Sequence, residues 1–208
     1  MSLPVSPDHF STIEKPSVAE FSDRGSKFTG YAFPIRSVAD FKEKLATIKK
    51  EHPKATHHCF AYRLGIDGSI FRVSDDGEPS GSAGRPILGQ IDSRGVTNTL
   101  VVVVRYFGGT LLGVPGLINA YKTAAALCLQ VTPLLQQPVL VHYQLHFDYA
   151  QLNDIMLLVK RFDCVIVRQE MNLFCNLLIG VPKKWLDEVL YKLKDSKGVE
   201  AKLVNAGV

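Results

Sequence analysis

The side chains of residues 139–148 alternate in kind. Val139, Val141, Tyr143, Leu145 and Phe147 stand against Leu140, His142, Gln144, His146 and Asp148. This is the period-two pattern of a strand with one face covered. Period 3.6 then takes over at Leu152, Ile155, Val159 and Phe162, which predicts a helix. Residues 164–170 and 173–181 read as a hairpin turning through Met171-Asn172. Pro182 opens a second helix with Trp185, Val189 and Leu193 on one face, and Val199–Val204 closes as a strand. The order βαββαβ predicts a ferredoxin-like split unit.

The first two thirds of the chain carry different patterns. Residues 26–35 suit a strand that stops at Pro34. Ser37 then serves as an N-cap with Asp40 three residues on, before Phe41, Leu45 and Ile48 recur at helical spacing up to Pro53. Runs 55–64 and 69–74, joined by Gly65-Ile66-Asp67-Gly68, predict a hairpin. A short helix is expected around 86–91. Residues 99–107 are apolar at consecutive positions, as a central strand covered on both faces must be. Pro115 starts a long helix to about Gln130, carried by Leu117, Ile118, Tyr121, Ala125 and Leu129. Residues 131–138, with two prolines and two glutamines, read as a linker, and residues 1–25 as an irregular arm. The expected organisation is an arm at 1–25 and domains at 26–134 and 135–208.

Composition narrows the class. The chain has 208 residues with 46% hydrophobic content, enough for a substantial core. No apolar run approaches the roughly 20 residues of a membrane span, and no hydrophobic signal segment opens the chain. A cytoplasmic location is therefore expected, with no membrane partner. Cys59, Cys128, Cys164 and Cys175 are widely spaced and lack a Cys-x-x-Cys pair, so reduced buried thiols are expected rather than disulfides or zinc. No cofactor or dedicated metal site is called for. The net charge of +4 is spread over both halves and does not by itself indicate nucleic acid. Lysines 183, 184, 192, 194, 197 and 202 interleave with Asp187, Glu188, Asp195 and Glu200, as on a solvated face.

Two glycine-rich stretches concentrate the candidate chemistry. The first reads Asp75-Asp76-Gly77-Glu78-Pro79-Ser80-Gly81-Ser82-Ala83-Gly84-Arg85-Pro86. Small residues free successive N–H groups to turn inward, and the stretch empties into a helix N-terminus, a combination suited to an anion such as phosphate. The second reads Arg105-Tyr106-Phe107-Gly108-Gly109-Thr110-Leu111-Leu112-Gly113-Val114-Pro115-Gly116 and again runs from strand to helix. The two junctions are expected to share one cleft. Candidate ligand contacts are His57, His58, Asp75, Asp76, Glu78, Ser80, Gly81, Ser82, Gly84, Arg85, Arg105, Tyr106, Gly108 and Gly109.

Each candidate also has a structural reading. Asp75, Asp76 and Glu78 with a histidine form an acid/base or divalent-metal set, or else serve turn chemistry. His57 and His58 are adjacent, so on a strand they face opposite ways and only one reaches the site. Arg105 ends an apolar strand and needs a partner, either Asp75 or Asp76 or a ligand. One at most of Tyr106 and Phe107 offers a stacking face. Cys59 beside His58 lacks the orienting third group of a nucleophile.

The run at 75–84, the spaced signature Gly84, Ile87-Leu88, Ile91, Val96, Val102-Val103, Arg105-Tyr106-Phe107-Gly108-Gly109 and Leu112-Gly113, and His57-His58 before a hairpin together resemble the IMPACT (YigZ-like) family. The resemblance runs from about Ser26 to the C-terminus. It implies an α+β protein with a ribosomal-protein-like α/β domain, its mixed sheet covered by helices, followed by a ferredoxin-like domain. It also implies a link to regulation of translation. Three positions depart from the family pattern. Ser82 stands where threonine is usual, which keeps the hydroxyl. Pro115 replaces a glycine and Asn119 a frequent basic residue, which remove a donor and a cation from the second junction.

The leading expectation is a binding protein that engages RNA, a nucleotide or the ribosome through the cleft, with protein partners in the translation machinery. One alternative is a metal-dependent hydrolase or phosphotransferase using Asp75, Asp76, Glu78 and His57 or His58. It has no Walker-type or His-x-x-x-His motif behind it. The other alternative is a protein-interaction module.

Overall fold

The computed structural model describes residues 8–204, which form two compact units dividing at Gln137 and Pro138. The first unit is built on a five-stranded sheet. In chain order its strands are β2 (Ser17–Asp23), β3 (Ser26–Pro34), β4 (His57–Leu64), β5 (Ile70–Ser74) and β6 (Thr99–Tyr106). They lie side by side as β2-β3-β6-β4-β5. Helix α1 (Val38–Glu51) packs on one face, and α2 (Gly84–Arg94) and α3 (Gly113–Gln130) on the other.

The central place of β6 explains its unbroken apolar run. Val101 and Val103 enter the layer under α2 and α3 with Phe28, Cys59, Ile87 and Tyr121, while Leu100, Val102 and Val104 join Phe41, Ile48 and Phe60 under α1. Both sets are fully buried, each side chain contributing about 1.5–3 kcal/mol. Local signals start α1: Ser37 Oγ accepts from Asp40 N–H at 3.1 Å, and Asp40 returns the contact to Arg36 N–H at 2.7 Å. The Arg36 N–H, followed by the Ser37 hydroxyl, holds the Asp40 carboxyl below its usual range.

Three expectations are corrected. The sheet is antiparallel throughout rather than mixed, because β3 and β4, joined by α1, flank β6 instead of pairing with each other. Within the expected arm, residues 9–23 carry two strands, β1 (His9–Ile13) and β2, while residues 1–7 lie outside the described residues. Ala19 and Phe21 of β2 pack on the core under α3. The turn from β2 to β3 uses Arg24 and Gly25, with φ of 45° and 80°, the left-handed pair of a tight hairpin. Most of the expected linker is strand β7 (Leu134–Pro138), paired with β1 in a two-stranded ribbon.

The second unit follows the predicted order: β8 (Leu140–Phe147), α4 (Leu152–Arg161), β9 (Val165–Met171), β10 (Cys175–Pro182), α5 (Leu186–Asp195) and β11 (Val199–Val204). Its sheet order β11-β8-β10-β9, antiparallel in every pair, is that of a ferredoxin-like split unit. Leu145, Phe147, Leu177 and Ile179 face Ile155, Val159, Val189 and Leu193. The six lysines noted above are all exposed.

Candidate functional site

The first glycine-rich junction is held together by its own carboxylate. Asp75 follows β5 directly and turns back on α2: Oδ1 accepts from the N–H groups of Ala83 at 3.0 Å and Gly84 at 2.8 Å, and Oδ2 from Gly81 at 2.8 Å. The Ala83 and Gly84 amides are orphan donors of the α2 N-terminus, satisfied here by an internal anion that also holds the preceding loop at Gly81. Burial pushes the Asp75 carboxyl up, but the three amides and Arg85 outweigh it, so its pKa is held below the ordinary value. The phosphate cradle expected at 80–85 is therefore corrected, because its central amides, Gly81 to Gly84, are in use. Ser82 is buried with Oγ donating to Pro79 O at 2.6 Å. Gly84 sits so close to β5 that a Cβ would fall 2.8 Å from Ser74 N. Ser80 and Arg85 are exposed.

The three carboxylates do not converge. Asp76 takes His58 N–H on Oδ2 at 2.7 Å, with Lys49 Nζ 3.8 Å from Oδ1. Glu78 points inward, its side chain 4% exposed, and Oε1 accepts from Arg105 Nη1 at 2.6 Å and Tyr121 OH at 2.8 Å. Arg105 thus finds its counter-charge in Glu78, not in Asp75 or Asp76. The guanidinium lies 5.5 Å from the ring centres of both Phe28 and Phe107, and Nη2 reaches Ser26 Oγ at 3.4 Å. Among the described residues, no three His, Cys, Asp or Glu side chains are placed to share a metal ion.

The histidines separate as their adjacency requires. His57 Nδ1 contacts the carbonyl oxygen of Asp76 at 2.8 Å. A carbonyl only accepts, so Nδ1 carries a proton, and Nε2 lies 3.8 Å from Glu78 Oε1. His58 lies buried on the opposite face, Nε2 donating to His52 O at 3.1 Å, and burial lowers its pKa. Cys59 is a closed thiol: burial pushes its pKa up to about 12, and Sγ donates to Asp75 O at 3.0 Å.

The second junction is built by close backbone approach. A Cβ on Gly108 would lie 1.9 Å from the carbonyl carbon of Gly25, so this glycine serves the packing of the β2–β3 turn. Its N–H reaches Ser26 Oγ at 3.2 Å. Gly109 takes a φ of 85° with open space around it. Tyr106 turns away from the cavity: its OH meets His52 Nδ1 at 2.9 Å, and the other ring nitrogen of His52 meets Tyr31 OH at 2.6 Å. Phe107, not Tyr106, is the open ring, 47% exposed.

Between the two junctions lies a cavity of about 380 Å³. Thr56, His57, Glu78 and Arg105 supply its polar floor, and Pro79, Phe107, Leu111, Leu112, Val114 and Leu117 its apolar walls. The first junction contributes Glu78 and Pro79, not its serines and glycines. Apart from Phe107, the walls escaped the sequence reading, although one signal was present: Leu111-Leu112 in a glycine-rich loop has no role in turn chemistry, and Leu111 is 82% exposed.

Residues 24–129 match the model of the Impact N-terminal domain. The chain is 36% identical over 156 residues to the IMPACT family member YigZ of Escherichia coli (strain K12), covering 74% of this chain and 76% of the relative. A Haemophilus influenzae IMPACT family member is 33% identical over 175 residues, 82% of this chain and 84% of that protein. A crystal structure of a hypothetical protein superposes with a TM-score of 0.76 at 30% identity, over 96% of this chain and 99% of the other. The family model spans both junctions and the cavity between them, and the relatives extend the match into the second unit, so the chain belongs to the IMPACT family.

Proposed function

We propose that this protein is a cytoplasmic binding protein of the translation apparatus, and that it engages RNA, a nucleotide or the ribosome through the cavity between its two glycine-rich junctions. One observation carries the reading: a preformed, largely apolar cavity of about 380 Å³ whose floor holds the polar groups of Thr56, His57, Glu78 and Arg105. Such a site is suited to holding a ligand. A metal-dependent hydrolase needs convergent carboxylates, and Asp75, Asp76 and Glu78 each point to a different structural partner. Family membership adds the expected link to translation. Among the described residues no helix is long and apolar enough to cross a membrane.

The test is binding of purified protein to ribosomes and to short single-stranded RNA across a salt series. Salt-dependent binding that weakens on Phe107→Ala is expected; no binding to either at low salt, together with no nucleotide-induced thermal shift, overturns the proposal. A protein-interaction module is favoured by a different observation, the exposed apolar side chains of Phe107, Leu111, Val114 and Ile118. Pull-down partners lost on Leu111→Ser, with RNA affinity unchanged, would select that reading.

A further inference from the structure

The cavity floor is unusual in what it lacks a partner for. All described hydrogen bonds to the Glu78 side chain end on Oε1, so its second carboxylate oxygen is left for a ligand. His57 Nδ1 is committed to a carbonyl, so the tautomer with its proton on Nδ1 presents Nε2 as a second acceptor beside the first. The floor therefore presents two neighbouring acceptors, while the Arg105 guanidinium is engaged through Nη1 with Glu78 and through Nη2 with Ser26, its Nε being buried without a hydrogen-bond partner. A purely apolar occupant would fill the walls and strip water from both acceptors without replacing it, which is costly. The complementary ligand has a flat apolar body and two adjacent N–H donors.

Phe107 supplies an exposed ring at the cavity wall. Arg24, 52% exposed and also near Asp23, donates to the carbonyl of wall residue Leu112 at 3.4 Å, and Lys49 reaches Asp76, whose carbonyl holds His57. Resting on the binding reading above, we propose that the cavity recognises an unpaired guanine of single-stranded RNA. Its N1–H and N2–H donors face Glu78 and His57, its ring lies on Phe107, and the flanking phosphates run toward Arg24 and Lys49. Guanine alone among the four bases carries two adjacent N–H donors on its Watson–Crick edge. Adenine and cytosine place a bare ring nitrogen beside their amine, and uracil has a single N–H between two carbonyls.

The experiment is fluorescence anisotropy at fixed low salt with labelled uridine hexamers holding guanine, inosine or adenine at one central position. The guanine hexamer is expected to bind about tenfold more tightly than the adenine one, with inosine, which lacks the N2 amine, in between. Phe107→Ala weakens all three by roughly tenfold, as loss of a stacking platform does. His57→Ala, with folding checked by thermal denaturation, narrows the guanine-to-adenine ratio. Equal, salt-dependent affinity for the three hexamers, or a ratio unchanged in His57→Ala, overturns the guanine reading and leaves the RNA-binding proposal standing. No binding to any hexamer overturns the guanine reading together with the RNA arm of the proposed function, which ribosome binding then tests by itself.

Discussion

The two glycine-rich junctions are alike in sequence and opposite in structure. Each leaves a strand and enters a helix, yet the Asp75 junction turns its free amides onto its own carboxylate, while the Arg105 junction leaves Phe107, Leu111 and Val114 facing outward. A glycine-rich strand-to-helix turn is thus not in itself an anion site. What decides is whether an acidic side chain within reach has already taken the helix N-terminus. Glu78 joins the two, pairing at the base of the first junction with the arginine that begins the second.

That division sets expectations for variants. The largest effect belongs to the shared pair. Arg105→Met leaves Glu78 buried without its counter-charge and should cost about 3–5 kcal/mol in urea denaturation, with Arg105→Met/Glu78→Gln recovering part of the loss. A double variant no more stable than the single one would mean that the pair is not the main link. Next, Gly108→Ala drives a Cβ into the Gly25 backbone and should cost about 1–3 kcal/mol, seen as a lowered Tm.

Asp75→Ala opens the α2 N-terminus and should cost about 1–2 kcal/mol. Because the folded carboxyl has a pKa below its ordinary value of 3.8, the wild type should enjoy this stabilisation fully above that value and lose it as pH falls through the folded one. The variant should lose less stability over the same acid range. If it acquired affinity for inorganic phosphate, the vacated amides would be shown to form an anion site once the carboxylate is gone. Smallest in stability is Phe107→Ala, within about 1 kcal/mol by thermal melting, although RNA binding should fall roughly tenfold. A large drop in Tm would make Phe107 part of the core and blur the contrast between the junctions.

Much of the fold was legible because its signals are local. Ser37 with Asp40, the Gly65 to Gly68 turn and the alternation along 139–148 each place an element without reference to distant residues. Strand β2 was missed although Ala19 and Phe21 alternate with Val18 and Glu20, because a serine- and proline-containing segment masks a seven-residue signal. Strand β7 has no such pattern. It is a strand because β1, more than a hundred residues earlier, pairs with it.

The candidate site was legible as a region and not as an arrangement. The sequence by itself determined the order of elements from β3 to α3 and through the second unit, the burial of residues 100–104, the opposite facing of His57 and His58, and the family. Only the tertiary structure decided that Arg105 pairs with Glu78, that Asp75 fills the α2 N-terminus, and that Phe107, not Tyr106, opens to the cavity. The physical reason is distance. Periodicity and capping act over a few residues, whereas a buried charge selects its partner, and a loop its open face, by what the whole fold brings within hydrogen-bonding reach.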